Sequence, residues 1–321
     1  MSALALLLPA VVALVAIALL RASPLAARIV DRPGERSLHA TATPRLGGIG
    51  VMLGALPVVF LLGTAEVRVI AGLAAFLAAV SLADDVRSLP VAVRLPCHLA
   101  AAAVAAAVVA PGAGYGTMAA AFVAIAWMTN LYNFMDGADG LAGGMALIGF
   151  GALAAGAFLA GDAGFALALA AVAAAAAGFL AFNFPPARVF LGDAGSVPLG
   201  FLAGAFACLG IARGLWPAWF PLLVFSPFVV DATVTLARRA ARREPVFRAH
   251  RSHYYQRLVL AGWTHRRLAV AAWVLMLAAA ASALAALGRH AAVQGAILSA
   301  WSIAYAALLL AIDRRQPREP R

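Results

Sequence analysis

Long apolar runs separated by short segments rich in arginine, glycine, proline and aspartate order this chain. They cover residues 3–20, 47–63, 68–83, 98–111, 117–134, 143–160, 163–182, 196–212, 216–236, 268–287 and 292–312. A helix needs roughly 20 apolar residues to cross the hydrocarbon core of a bilayer, so each run reads as a span or nearly one. The second, third and fourth are short, which makes ten the lower count. In lipid every backbone polar group must be satisfied within the segment, and for single runs of this length that means α-helix. The pattern predicts an all-α, polytopic membrane protein of about eleven transmembrane helices. It is read as one integral membrane domain over 1–321, with a long cytoplasmic loop at 237–267 and a cytoplasmic tail at 313–321. The first run has no cationic start and no small-residue cleavage site ahead of a soluble domain, so it is expected to be a retained helix.

Composition agrees with this pattern. Of 321 residues, 64% are hydrophobic and 12% charged, far outside the soluble range. The net charge of +11 comes entirely from arginine, since the chain has no lysine. Segments after odd-numbered runs carry 21 of the 24 arginines; the even-numbered ones hold Arg68, Arg213 and Arg289. By the positive-inside rule the odd segments and the C-terminus face the cytoplasm and the N-terminus faces outward. Arginines placed at a membrane surface meet anionic lipids first, so membrane lipids, and not nucleic acid, are the expected partner of this charge. Cys97 and Cys208 suggest neither a disulfide nor a metal site, and the alanine runs at 100–107 and 171–177 are small residues that let helices approach closely.

The stretch 126–144, A-W-M-T-N-L-Y-N-F-M-D-G-A-D-G-L-A-G-G, is the richest in chemistry. Asn130, Asn133, Asp136 and Asp139 recur every third residue, and positions three apart share a helix face. Asparagine, aspartate and glycine also make an ordinary helix stop, but two carboxylates and two amides in so apolar a chain exceed what a stop requires. Polar groups at membrane depth default to function.

The remaining polar motifs fall on the same predicted side. Segment 31–48 offers Arg36, His39 and Arg45 for anion contacts, with Gly47 and Gly48 allowing close backbone approach. The third run ends in Asp84-Asp85, adjacent carboxylates suited to metal binding or proton abstraction. Asn183 precedes Pro185-Pro186, and Asp193 follows in L-G-D-A-G-S, where flanking glycines leave room for a hard cation. Segment 247–259, F-R-A-H-R-S-H-Y-Y-Q-R-L-V, places His250 and His253 among Arg248, Arg251 and Arg257, beside Tyr254 and Tyr255. Such a set suits a pyrophosphate and a flat base, or an amphipathic helix on an anionic leaflet. Asp231 is read as paired with an arginine near Arg238. Of the 13 Asp and Glu, only Glu66 and Asp162 fall in outward segments. Aspartates and arginines gathered at one interface describe a site for a divalent metal and phosphorylated ligands, the combination that phosphoryl transfer needs.

In the order and spacing of five motifs, from Pro44-Arg45-Leu46-Gly47-Gly48 to the histidine loop, the chain resembles the polyprenyl-phosphate N-acetylhexosamine-1-phosphate transferases. The resemblance implies Mg2+-dependent (or Mn2+-dependent) transfer of a sugar-1-phosphate from a UDP-N-acetylhexosamine to undecaprenyl phosphate, with release of UMP, at the cytoplasmic face of a bacterial inner membrane. Carried over by position, Asp84 and Asp85 match the family's catalytic aspartate pair, with Asp84 also near the metal. Asp193 matches the metal-binding position. Asn130, Asn133, Asp136, Asp139 and Asn183 match substrate-contacting polar positions, and His250 and His253 the histidine motif. The first loop lacks the lysine of the peptidoglycan branch, and Arg45 and His39 are the candidates to replace it, with Arg251 as a further substrate contact.

His250-Arg251-Ser252-His253 also departs from the three consecutive histidines of that branch. The departure points to the O-antigen-initiating enzymes over the phospho-N-acetylmuramoyl-pentapeptide transferases. A prenyl or phosphatidyl transferase would instead cluster its acids within two helices, and a proton-coupled transporter would hold them near the bilayer midplane. Neither sugar nor oligomeric state is legible, and a homodimer stays open.

Overall fold

A computed structural model describes residues 3–34, 38–39, 41–245 and 250–315. Arg36 and Arg248, two of the arginines noted above, and the tail beyond Arg315 lie outside the described residues. In chain order the elements are α1 (Ala3–Ala22), α2 (Leu25–Arg28), β1 (Val30–Asp31), β2 (Thr43–Pro44), α3 (Gly47–Leu62), α4 (Ala65–Arg87), α5 (Val91–Val109), α6 (Tyr115–Phe134), α7 (Leu141–Leu159), α8 (Ala163–Asn183), α9 (Asp193–Ala212), α10 (Trp219–Val224), α11 (Ser226–Ala241), α12 (Tyr254–Leu260), α13 (His265–Ala286) and α14 (Ala291–Arg315). The only sheet among the described residues is the antiparallel pair β1–β2, with Val30 opposite Pro44 and Asp31 opposite Thr43.

Each apolar run coincides with helix, and seven helices are long and apolar enough to cross a membrane by length and composition. The protein is an all-α, multi-pass membrane protein. Large apolar side chains lie bare on its outer helices, including Leu61, Val274 and Ile303. Lipid is the solvent that makes such a belt stable.

α7, α8 and α9 are the most enclosed helices and α14 the least. The alanine run of α8 is buried at Ala171, Ala173, Ala175 and Ala176, where small side chains let α1, α3 and α7 close in on it.

Two boundaries differ from the sequence expectation in ways that matter for the site. α5 begins at Val91, so Arg94 and Cys97 are helical and not in a loop. The ninth run is not one helix. It breaks at Phe225 into α10 and α11, with Pro227 in the first turn of α11, where its missing amide hydrogen costs no helix bond.

The charged groups separate to the two ends of α4 and α9. At one end Arg213 pairs with Glu66 at 3.3 Å and with Asp162 at 2.9 Å, so the two acids outside the main set neutralise one arginine. At the other end stand Asp84, Asp85 and Asp193.

Candidate active site

The site is assembled by backbone contacts before any side chain enters it. The segment at β2 runs beside 190–191, with Phe190 N donating to Pro44 O at 2.9 Å, Gly47 N to Phe190 O at 2.9 Å and Gly48 N to Leu191 O at 2.7 Å. A Cβ on Gly48 would stand 2.2 Å from the Gly195 nitrogen, so only glycine permits this approach. The result sets Arg45 against the start of α9.

Here the acids meet two arginines. Arg45 Nη1 lies 3.3 Å from Asp85 Oδ1, and Asp85 is nearly covered, with 2% of its side chain exposed. Arg94 Nη1 lies 2.5 Å from Asp84 Oδ2 and 3.5 Å from Asp193 Oδ2. The Leu89 amide donates to Asp84 Oδ1 at 2.6 Å, and the Ala194 amide to Asp85 Oδ2 at 3.3 Å. Asn133 of α6 is within hydrogen-bond reach of Asp193 and accepts from Ser196 Oγ at 2.8 Å. Asn130, one turn earlier, donates to Ala126 O at 2.8 Å and faces His98.

Asp136 and Asp139 do not continue that face, because α6 ends at Phe134 and both belong to the turn before α7. Asp136 lies near the acid cluster. Burial, and after it the Asp193 and Asp85 carboxylates, push its carboxyl well above the usual range. Asp139 faces elsewhere: its Oδ1 is 3.0 Å from His265 Nδ1 and its Oδ2 accepts the Ala187 amide at 2.9 Å. Asn183 likewise uses both ends of its amide on backbone, accepting from Gly140 N at 2.9 Å and donating to Val189 O at 3.0 Å. Both were expected to contact substrate; in the fold they stitch loops together. His39 sits with its ring edge-on to Phe190, 4.8 Å between centroids, and its Nε2 4.0 Å from Asp31. It is grouped with Asp139 and His265 around a cavity of about 400 Å3.

The histidine loop forms the third part. α12 begins at Tyr254, and Asp231 of α11 accepts the Tyr254 and Tyr255 amides at 2.9 Å each, satisfying two of the free donors at that helix start. Its carboxylate is also 3.4 Å from His253 Nδ1. The expected Asp231 pairing with an arginine is therefore replaced by helix capping, while Arg238 and Arg257 both pair with Asp313 of α14. His253 is buried between Phe134 and Tyr255, stacked on both. Tyr255 Oη donates to Phe134 O at 3.0 Å and fills the space a Cβ on Gly137 would take. These contacts dock the histidines on the end of α6. His250 lies beside His253, 4.9 Å between ring centroids, and takes a 2.8 Å hydrogen bond with Ser252 Oγ at Nδ1. Desolvation, then His253 and Arg239, bring its pKa down to about 4, so it is neutral at physiological pH. Arg251 is exposed.

Four residues at or beside the site were not singled out for it by the sequence: Arg94, His98, His265 and the capping role of Asp231. The signal for the first two was an arginine and a histidine one helical turn apart in an apolar stretch.

Among the described residues no three His, Cys, Asp or Glu converge as a ready-made metal nest. Asp84 and Asp193 share one guanidinium nitrogen instead, and Arg45 Nε and Arg94 Nε are buried with no hydrogen-bond partner. Oxygen ligands from one or two carboxylates, completed by phosphate oxygens and water, are what Mg2+ takes. The guanidinium donors of the half-buried Arg45 and Arg94 suit the same phosphates. The residues fit a metal that arrives with a diphosphate.

Comparison with known proteins is consistent with this chemistry. Residues 67–211 match glycosyl transferase family 4. A probable undecaprenyl-phosphate N-acetylglucosaminyl 1-phosphate transferase of Bacillus subtilis is 30% identical over 258 residues, covering 74% of this chain and 71% of the relative. A decaprenyl-phosphate N-acetylglucosaminephosphotransferase of Mycobacterium tuberculosis is 30% identical over 296 residues, 76% of this chain and 73% of the relative. A phospho-N-acetylmuramoyl-pentapeptide-transferase of Geobacillus thermodenitrificans is 35% identical over 150 residues, 46% of this chain and 44% of the relative. With its acids, arginines and histidines joined at one end of a helical membrane bundle, the chain belongs to glycosyl transferase family 4, as a sugar-phosphate transferase of the polyprenyl-phosphate hexosamine-1-phosphate transferase superfamily.

Proposed function

We propose that the protein transfers an N-acetylhexosamine-1-phosphate from a UDP-sugar to undecaprenyl phosphate. The products are undecaprenyl-diphospho-sugar and UMP, and the step initiates O-antigen or another envelope polysaccharide. The observation that carries this reading is the junction of Arg45, Arg94, Asp84, Asp85 and Asp193, two cations and three carboxylates at one end of the bundle.

A phosphate oxygen of the lipid attacks the β-phosphorus of the UDP-sugar, and the bond from that phosphorus to the bridging oxygen breaks, so that oxygen leaves with UMP. Arg45 and Arg94 bind and orient the phosphates, their charge opposing the repulsion between two anionic reactants. Asp193 and Asp84 would hold Mg2+, or Mn2+ in its place, which when bound supplies charge neutralisation on the diphosphate. Asn133 fixes the Asp193 carboxylate from the α6 side. His253, seated on Phe134, brings the histidine loop over the end of α6.

The apolar runs are read as eleven spans, the family as that of a bacterial inner-membrane enzyme, and the arginine distribution supports an orientation with this end of the bundle in the cytoplasm. The names of the relatives that cover most of the chain favour N-acetylglucosamine as the first sugar to test. The match to the muramoyl-pentapeptide branch spans less than half of the chain.

The test incubates purified protein with undecaprenyl phosphate and a panel of UDP-sugars, UDP-N-acetylmuramoyl-pentapeptide included, with and without EDTA, and weighs the lipid product. UMP release with a lipid-diphospho-N-acetylhexosamine is expected, suppressed by EDTA and restored by Mg2+. No lipid product from any UDP-N-acetylhexosamine sinks the reaction; product formation indifferent to EDTA sinks the metal.

A further inference from the structure

His265, in the first turn of α13, has both ring nitrogens committed. Nδ1 is 3.0 Å from Asp139 Oδ1 and Nε2 is 3.0 Å from the Leu38 carbonyl oxygen. Asp139 Oδ1 and Leu38 O are acceptors, so a ring that donates to both carries a proton on each nitrogen. A neutral ring protonated at Nε2 keeps the Leu38 bond and is held at Nδ1 by the Asp139 amide; Asp139 and Leu38 engage the ring in either form. The Asp139 amide, 3.2 Å from Nδ1, donates there only to a ring bare at that atom. Asp139 Oδ2 holds the Ala187 amide at 2.9 Å. One ion pair thus ties four segments: the loop after β1 through Leu38, the turn 135–140, the loop 184–192 and α13 itself.

Three of those four segments carry or adjoin the acid cluster. The loop after β1 leads through β2 to Arg45, the turn 135–140 holds Asp136, and the loop 184–192 ends at Asp193. The turn 135–140 and the loop 184–192 lie between helices, and Leu38 lies between β1 and β2, so contacts such as this one, and not regular secondary structure, set how they meet. The cavity beside the pair is about 400 Å3 and is bordered by His39, Phe190, Thr264 and Arg266 as well.

We infer that His265 is a positioning residue for the transfer reaction: through its ion pair with Asp139 and its bond to Leu38 it holds the Arg45, Asp136 and Asp193 segments in mutual register. The inference rests on the reading under Proposed function for its kinetic part only. Burial makes such a pair coupled: breaking one partner leaves the other charge without its mate.

The experiment compares the wild type with His265→Ala, His265→Gln, Asp139→Asn and the double variant Asp139→Asn/His265→Ala. Two readouts are taken, UMP release with UDP-N-acetylglucosamine and amide hydrogen exchange of the turn 135–140 and the loop 184–192. Expected results are a fall of about tenfold or more in kcat/KM for His265→Ala and partial recovery in His265→Gln, whose amide keeps one donor. The double variant should be no worse than the poorer single one, and amide exchange in both loops should be faster while the helices keep their protection. Wild-type turnover reports on the reaction; loop exchange reports on His265 whether or not the substrate is right. Unchanged loop exchange in His265→Ala, single effects that multiply in the double variant, or a loss of protection spread over all helices overturns the inference.

Discussion

Arg94 of α5 and Asp193 at the start of α9 stand 3.5 Å apart, and the same guanidinium nitrogen lies 2.5 Å from Asp84 of α4. One cation therefore joins three helices and keeps two carboxylates from repelling one another. Replacing Arg94 with alanine is expected to reduce kcat/KM by about a hundredfold, and lysine is expected to restore part of it, since a point charge replaces the charge but not the planar fork. Equal activity in Arg94→Ala and the wild type would remove Arg94 from the site.

Asp193→Ala is expected to abolish UMP release while leaving thermal unfolding nearly unchanged, because the side chain is crowded by acids and partly exposed. Turnover retained within about tenfold, at any Mg2+ concentration, returns Asp193 to a structural role.

Asp231 caps α12 with two amide hydrogen bonds and faces His253. Asp231→Ala leaves those donors without partners, a loss of about 1.5–3 kcal/mol. Exchange of the amides of Tyr254–Leu260 should accelerate by roughly ten to a hundredfold, with a parallel loss of activity. Unaltered protection of α12 would show that Asp231 does not hold the histidine loop.

Gly137 and Tyr255 form a close pair. A Cβ on Gly137 would lie 2.2 Å from Tyr255 Oη and 3.2 Å from its Cζ. Gly137→Ala is expected to displace the histidine loop and lower activity by at least about tenfold. The double variant Gly137→Ala/Tyr255→Phe removes the clashing oxygen and should recover most of that loss. Failure of the second change to recover activity would place the harm in the backbone of the turn.

The neutral His250 gives stability a pH dependence with a definite sign. Its folded-state pKa is about 4 against an ordinary 6.5, so the unfolded chain binds the proton first as pH falls. The contribution of this residue to stability is complete above about pH 6.5 and is lost as pH drops toward 4. Lowering pH across that window should lower Tm in the wild type, and His250→Gln should flatten the trend. A slope identical in the two proteins assigns the acid sensitivity to other groups.

Most of the architecture was written in the chain. Apolar runs of near-spanning length must be helical in lipid, because no water is there to satisfy an open backbone. The arginine asymmetry and the grouping of acids follow from the same avoidance of the hydrocarbon core. Those two constraints are local, so they can be read from consecutive residues. The residue types that carry the chemistry were legible for the same reason: an aspartate or histidine in so apolar a sequence is conspicuous.

Tertiary structure alone decided what each polar group does. Asn133, Asp136 and Asp139 share a spacing, yet α6 ends at Phe134, and beyond a helix terminus spacing no longer fixes direction. Tertiary packing then left Asp136 within the electrostatic reach of Asp193 and Asp85 and set Asp139 against His265. Asn183 and Asp231 went to backbone amides and carbonyls, and Arg94, taken in the sequence for one more positive-inside residue, became the cation between Asp84 and Asp193. Hydrophobic burial sets where helices run; which donor meets which acceptor between their ends depends on contacts from distant parts of the chain, and those exist only once it has packed.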